Sequence, residues 1–158
     1  MIQKEQVQQM TRASGFIAAL DQSGGSTPRA LELYGFNNGN YSNDDEMFDL
    51  IHKMRCRIMC SPKFNGEKVI GAILFKKTME REVAGISTCK YLWEQKKVIP
   101  FLKVDNGLEN KKNDVQILKS IPDLDFLLES AKKENIFGTK MRSVIHGANQ
   151  ASVDDVVK

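Results

Sequence analysis

The sequence predicts an α/β protein built on a parallel sheet, and three similar segments support this. Strand-forming residues run without a charged interruption over 15–20, 98–102 and 136–139, which is typical of strands buried on both faces. Each run ends at a charged side chain, and these are Asp21, Lys103 and Lys140. Because α/β proteins bind ligands at the carboxyl ends of their strands, this arrangement predicts an enzyme.

The first half of the chain predicts two strand–helix units. A short helix is expected within 1–12 and a first strand at 15–20, and Thr27 and Pro28 are expected to cap and start a helix that stops near Gly35. Ser42 or Asn43 is expected to cap the next helix. That helix is expected to end at 61–62, and its apolar stripe consists of Met47, Ile51, Met54 and Ile58. The second strand is expected at 69–75.

The second half repeats the pattern twice more. Strands are expected at 98–104 and 136–142, with a solvated loop after Gly107 and a helix over 122–134 between them. The apolar face of that helix consists of Leu124, Leu127, Leu128 and Ala131. Strand followed by helix, four times over, predicts parallel strands joined by right-handed crossovers. Since no linker composition appears, residues 1–158 are expected to form one domain without an internal boundary.

Composition excludes several functional classes. The net charge of +3 is too small, and its basic residues too interspersed, to indicate nucleic-acid binding. No apolar stretch approaches the roughly 20 residues of a membrane span, and residues 1–5 lack a signal-peptide pattern. A cytoplasmic location is therefore expected.

The three cysteines are Cys56, Cys60 and Cys89, an odd set that predicts free thiols. His52, Cys56 and Cys60 do repeat every four residues on a predicted helix, and such a column could bind a metal. Free cysteines are more commonly core residues, and no fourth ligand is evident. We therefore favour the core interpretation and expect no metal site.

The loop Ser23-Gly24-Gly25-Ser26 follows the first strand and precedes a proline-started helix. Glycines let backbone amides approach an anion, serines add hydroxyl donors, and a helix start adds partial positive charge. These features predict a phosphate site, although a plain tight turn accounts for the same residues about as well.

Charged residues follow three different predicted strands. Lys103 and Lys140 are either exposed loop residues or cations at the rim of the sheet, and Asp21 on a third strand favours the second interpretation. Asp105 follows Lys103 by two positions, so it could pair with a lysine as scaffolding. Arg142, two residues after Lys140, has the same ambiguity. Such a pocket suits a phosphorylated carbonyl compound.

Four segments in order along the chain resemble class I fructose-bisphosphate aldolases of the bacterial branch. They are FIAALDQSGGSTP at 16–28, GAILF at 71–75, FLKVD at 101–105 and FGTKMR at 137–142. The resemblance implies a (β/α)₈ TIM barrel and the reversible cleavage of fructose 1,6-bisphosphate to dihydroxyacetone phosphate and glyceraldehyde 3-phosphate. It implies a lysine Schiff base and neither metal nor other cofactor.

The resemblance also implies roles for individual residues. Asp21 would position the substrate hydroxyls around the bond that is cleaved. Ser23, Ser26 and Lys103 would hold the phosphate of the aldehyde half. Lys140 would stabilise the carbinolamine, with Arg142 as a supporting charge.

By the same resemblance, the chain provides the first four βα units of the barrel, an incomplete half-barrel. A complete barrel takes about 250 residues, and the Schiff-base lysine belongs to the sixth strand. The isolated chain is therefore expected to be inactive, and its open sheet edges are expected to make it poorly folded, aggregated or self-associated. Two alternatives remain, a stand-alone phosphate-binding α/β module and another Schiff-base lyase related to transaldolase.

Overall fold

The computed structural model describes residues 4–147 and 149–157. The first half contains α1 (Lys4–Arg12), β1 (Phe16–Leu20), α2 (Thr27–Leu33), a 3₁₀ turn (Asn38–Asn40), α3 (Asp44–Cys60), β2 (Val69–Leu74) and α4 (Lys76–Met79). Next come β3 (Glu82–Val83), β4 (Ile86–Ser87), α5 (Thr88–Lys90), a π-helical turn (Tyr91–Gln95) and β5 (Ile99–Lys103). The chain continues with β6 (Val115–Gln116), α6 (Leu124–Lys133), β7 (Gly138–Lys140), β8 (Val144–Ile145) and α7 (Gln150–Val157). Across the described residues, every helix is too short or too polar to traverse a bilayer.

Four strands form one parallel sheet in the order β1-β2-β5-β7. This confirms the predicted α/β class and its four parallel strands. Leu20 pairs with Leu74, and Leu74 pairs with Leu102, so the three leucines form a buried row across the sheet. Within the described residues the sheet does not close, because β1 and β7 each have one partner strand.

Most of the core lies between this sheet and the helices that cover one of its faces. Leu74 and Leu102 are fully buried there, together with Leu92 and Val98. A second apolar cluster joins α2 to α3, and it contains Leu31, Met47, Phe48, Ile51 and Met54. The predicted apolar stripe of α3 thus packs inward, whereas the predicted face of α6 is only partly covered, since Leu128 is 40% exposed.

Two helix starts show how the local sequence sets the elements. Asn43 caps α3, because its side-chain oxygen accepts a hydrogen bond from the Glu46 N–H at 2.9 Å. The sequence predicted Thr27 as the cap of α2, and this is wrong by one residue. Ser26 occupies the cap position, and Thr27 is the first helical residue. The buried Thr27 hydroxyl instead donates to the carbonyls of Ser23 (2.9 Å) and Gln22 (3.3 Å).

Two small antiparallel pairs were not predicted from the sequence. β3 pairs with β4 through a turn at Ala84 (φ 52°) and Gly85 (φ 76°), and β6 pairs with β8. Each of these strands has only two residues, too few to show an alternating pattern. The first pair packs against α3, and the second pair connects the long loop after β5 to the segment after β7.

Candidate active site at the carboxyl edge of the sheet

The three charged residues that follow the predicted strands come together at the carboxyl edge. Lys103 ends β5 and pairs in register with Lys140, which ends β7. Asp21 directly follows Leu20, the last residue of β1. Because the row of leucines lies one position earlier, Asp21, Lys103 and Lys140 extend past the core at the same level of the sheet.

Ion pairs join these side chains into one chain. Lys140 Nζ lies 3.2 Å from Asp21 Oδ2 and 3.5 Å from Asp105 Oδ2. Lys103 Nζ lies 2.8 Å from Asp105 Oδ1 and also donates to the Asp105 backbone carbonyl at 2.6 Å. Asp105 therefore bridges the two lysines, and we name the set Asp21, Lys103, Asp105 and Lys140 the ion-pair chain.

The environment of Asp105 keeps its carboxylate charged. Its side chain is only 5% exposed, and this burial alone would raise its pKa. The pKa of Asp105 nevertheless lies below its ordinary value. Burial is outweighed by the hydrogen bond and charge of Lys103, by the charge of Lys140 and by a hydrogen bond from the Gly107 N–H. The Asp105 carboxylate therefore holds the Nζ atoms of Lys103 and Lys140 in fixed positions.

The loop Ser23–Ser26 begins two residues after Asp21, and its backbone is held from within. The N–H groups of Ser26 and Thr27 both donate to the Ser23 carbonyl at 2.9 Å. Around Gly24 and Gly25, no atom lies within 4 Å of where a Cβ would stand. This side of the loop is open enough for an anion to approach.

A cleft of about 570 Å³ opens beside Lys103, between the segments that follow β2 and β5. It combines cations with apolar side chains. Its lining includes Phe75, Lys76, Lys77, Lys103, Asp105 and Phe126.

Arg142 lies apart from this set. It follows β7 by two residues, is exposed, and makes no hydrogen bond or ion pair with any part of the chain that the structure describes. Ser23 is partly buried and Ser26 exposed. No described hydrogen bond joins either serine to Lys103.

Arg55, a residue for which the sequence predicted no role, lies close to Asp21 and Gln22. Arg55 is fully buried on α3 and donates to the Gln22 backbone carbonyl at 2.8 Å. The spacing contained a signal for this burial. Arg55 lies four residues from both Ile51 and Met59, which are themselves fully buried.

The histidine–cysteine column of α3 forms a different local structure. Cys56 Sγ lies 3.4 Å from His52 Nε2, which also bonds to the Glu82 carbonyl at 2.9 Å. Burial raises the pKa of Cys56 and lowers that of His52. Among the described residues no set of three or more His, Cys, Asp or Glu side chains is arranged to hold a metal ion, and all three cysteines are free thiols.

Comparison with known proteins identifies close sequence relatives. The class 1 fructose-bisphosphate aldolase of Synechocystis sp. is 55% identical over 154 residues, which cover 98% of this chain and 51% of the relative. The class 1 fructose-bisphosphate aldolase of Porphyromonas gingivalis is 52% identical over 155 residues, covering 98% of this chain and 53% of the relative. The chain spans about half the length of these curated relatives. No protein-family model matches it.

A solved structure shares the fold. It is the fructose-bisphosphate aldolase of Plasmodium falciparum, in a ternary complex with TRAP and a small-molecule inhibitor. The TM-score is 0.67 at 21% identity, and the match covers 87% of this chain and 38% of that chain. This likeness concerns the fold alone. Over 98% of its own length the chain is similar in sequence to class 1 fructose-bisphosphate aldolases, about half of whose length it spans.

Proposed function

We propose that this chain provides the sugar-phosphate half-site of a class 1 fructose-bisphosphate aldolase. The complete reaction would be the reversible cleavage of fructose 1,6-bisphosphate through a lysine Schiff base. The Schiff-base lysine would come from the half of the enzyme that this chain does not span. The single observation that carries the proposal is the ion-pair chain, which stands at the carboxyl edge next to an open glycine-rich loop.

Within this site we assign binding of the phosphate on the aldehyde half to Lys103, together with Ser23 and Ser26. Lys103 borders the cleft, and its ammonium group is already oriented by Asp105 at 2.8 Å. A preoriented ammonium group makes charge-assisted hydrogen bonds to a phosphate with little further ordering. The serine hydroxyls and the open amides of the loop would add neutral donors.

We assign the chemistry at the carbonyl and hydroxyl carbons to Lys140 and Asp21. Their side chains lie 3.2 Å apart, so a proton can pass between them or through a bound hydroxyl. Asp21 would accept hydrogen bonds from substrate hydroxyls, and Lys140 would stabilise negative charge that develops on the adjacent oxygen. Arg142 would add a supporting charge from its exposed position after β7.

Glycerol 3-phosphate tests the phosphate assignment, because it carries the phosphate and hydroxyls but no carbonyl that could react with a lysine. We expect the wild-type chain to bind it in isothermal titration calorimetry. Lys103→Met should weaken binding roughly 10- to 100-fold, since a charged hydrogen bond contributes roughly 1.5–3 kcal/mol.

The matched control is Lys133→Met, which removes an exposed lysine from α6. It should leave the affinity unchanged. If wild type and Lys103→Met bind with equal affinity, and circular dichroism shows that both are folded, Lys103 does not bind the phosphate.

We further propose that two copies of the chain associate through the edge strand β1. Phe16 and Ile17 on this strand are 58% and 41% exposed, and an unpartnered strand edge is a template for pairing. Sedimentation equilibrium should show a mass that rises with protein concentration. Ile17→Lys should shift it toward the monomer, whereas Leu33→Lys, which charges an exposed position on α2, should not. A monomeric wild type at every concentration would disprove this association.

A further inference from the structure

Arg55 is the buried cation at this end of the molecule. It is 0% exposed, and its guanidinium donates to Thr78 Oγ1 at 2.6 Å, to the Gln22 backbone carbonyl at 2.8 Å and to Gln22 Oε1 at 3.2 Å. Its Nε is buried and has no hydrogen-bond partner among the described residues. Arg55 thus ties α3 to the residue that follows Asp21.

The charge of Arg55 is not neutralised by direct contact. All of its hydrogen-bond acceptors are neutral oxygens, and within the described residues no carboxylate forms a salt bridge with it. Burial lowers the pKa of Arg55 to about 10. The negative charge of Asp21 raises this pKa, and the positive charge of Arg81 lowers it further. At neutral pH the group is still a cation.

The two lysines of the site differ from Arg55 in this respect. Lys103 and Lys140 contact two carboxylates, those of Asp105 and Asp21, so the ion-pair chain has no net charge. Arg55 therefore adds buried positive charge at this edge of the sheet, whereas Arg142, the other cation there without an ion pair among the described residues, is exposed. A buried cation close to a loop favours the binding of an anion there.

Arg55 also holds the start of the glycine-rich loop. The Gln22 carbonyl accepts hydrogen bonds from both Arg55 Nη2 and the Thr27 hydroxyl, at 2.8 and 3.3 Å. Thr27 in turn bonds the Ser23 carbonyl through its N–H and its hydroxyl, both at 2.9 Å. The loop is thus clamped at one end by α3 and at the other by the first residue of α2.

We propose that Arg55 is a positioning residue for phosphate binding. It fixes the turn from Asp21 to Ser26 through Gln22, and it adds positive charge beneath the loop. The effect of Arg55 on phosphate binding rests on the proposed function of the loop. Its effect on the conformation of the loop does not depend on any ligand, so the two effects are measured separately.

Amide hydrogen exchange, measured by NMR without ligand, tests the clamp. Arg55→Met keeps an unbranched apolar side chain in the buried space and removes every donor. We expect it to speed exchange of the Ser26 and Thr27 amides about tenfold or more, a size typical of coupling between linked sites. Unchanged exchange at both amides would overturn the clamp.

Titration with glycerol 3-phosphate tests the electrostatic part. We expect Arg55→Met to weaken binding about tenfold. Arg55→Lys, which keeps one cationic donor that can reach Gln22 but loses the guanidinium fork, should bind more tightly than Arg55→Met and more weakly than wild type. If Arg55 only filled space, Arg55→Met would bind more tightly than Arg55→Lys, because methionine fills the buried space without burying a charge. Arg57→Met, which removes an exposed arginine from the same helix, should match wild type.

The outcomes separate the two proposals. If wild type does not bind glycerol 3-phosphate, the proposed function and this purpose of Arg55 both fail, and the exchange experiment still decides whether Arg55 holds the loop. If wild type binds and Arg55→Met binds equally well, the proposed function stands and the inference is wrong.

Discussion

Asp105→Asn is expected to destabilise the protein by about 3 kcal/mol at pH 7. Breaking a buried ion pair by removing one partner leaves the other charge without compensation. Here it would leave Lys103 without a carboxylate partner among the described residues and Lys140 with Asp21 alone, and the Asp105 side chain is 5% exposed. Urea unfolding, followed by circular dichroism at one fixed protein concentration, measures the change in the free energy of unfolding.

Asp114→Asn is the matched control, because Asp114 also pairs with a lysine but at an exposed position. Asp114 Oδ1 lies 2.9 Å from Lys111 Nζ, and both side chains are half exposed. Solvent screens such a pair, so we expect little change in stability. Equal losses in the two variants would show that the burial of Asp105 does not matter.

The Asp105 effect should also depend on pH. Since the pKa of Asp105 is lowered in the folded state, its charge stabilises the fold above its ordinary pKa of about 3.9. That contribution is lost as the pH falls through the lowered folded value. The difference between wild type and Asp105→Asn should therefore shrink as the pH is taken below about 4. A difference that stays constant down to the acid limit would contradict this origin.

Leu102→Ala is expected to cost about 3 kcal/mol, as large-to-small changes in well-packed cores do. Leu102 is 0% exposed and lies on β5, between Leu74 of β2 and Thr139 of β7. Its loss would open a cavity beneath Lys103, the next residue. Urea unfolding at fixed concentration measures this change as well.

Leu128→Ala provides the comparison on α6, since this leucine is 40% exposed. Removing the same atoms there should cost less than about 1 kcal/mol, because little apolar surface is lost from the core. If the two leucines cost the same, the core does not lie between the sheet and its covering helices as described.

The main sheet could be predicted because β1, β2 and the first four residues of β5 are apolar without interruption. Runs such as 98–102 contain no polar residue, and that pattern is typical of strands in a parallel sheet covered by helices. The residues after each run could be predicted as rim residues for the same reason. Since carboxyl ends of parallel strands meet at one edge, Asp21, Lys103 and Lys140 were expected to converge, and the structure brings them into one chain of ion pairs.

The parts that escaped prediction depend on contacts between distant segments. β6 and β8 have two residues each and form only because the loop after β5 meets the segment after β7. Arg55 pairs with Gln22, which lies 33 positions away, and nothing local to α3 indicates that partner. The reaction was predicted only from the resemblance of four segments to a known family, because patterns of burial and charge do not indicate which reaction a site performs.

We propose that Lys103 and the Ser23–Ser26 loop form one phosphate site. Titration of the wild type with glycerol 3-phosphate, followed by backbone amide NMR signals, tests this proposal. We predict that the signals of Gly24, Gly25 and Lys103 shift together with a single dissociation constant, and that glycerol without phosphate moves none of them. Shifts confined to exposed lysines such as Lys133, with the loop and Lys103 unmoved, would contradict the claim.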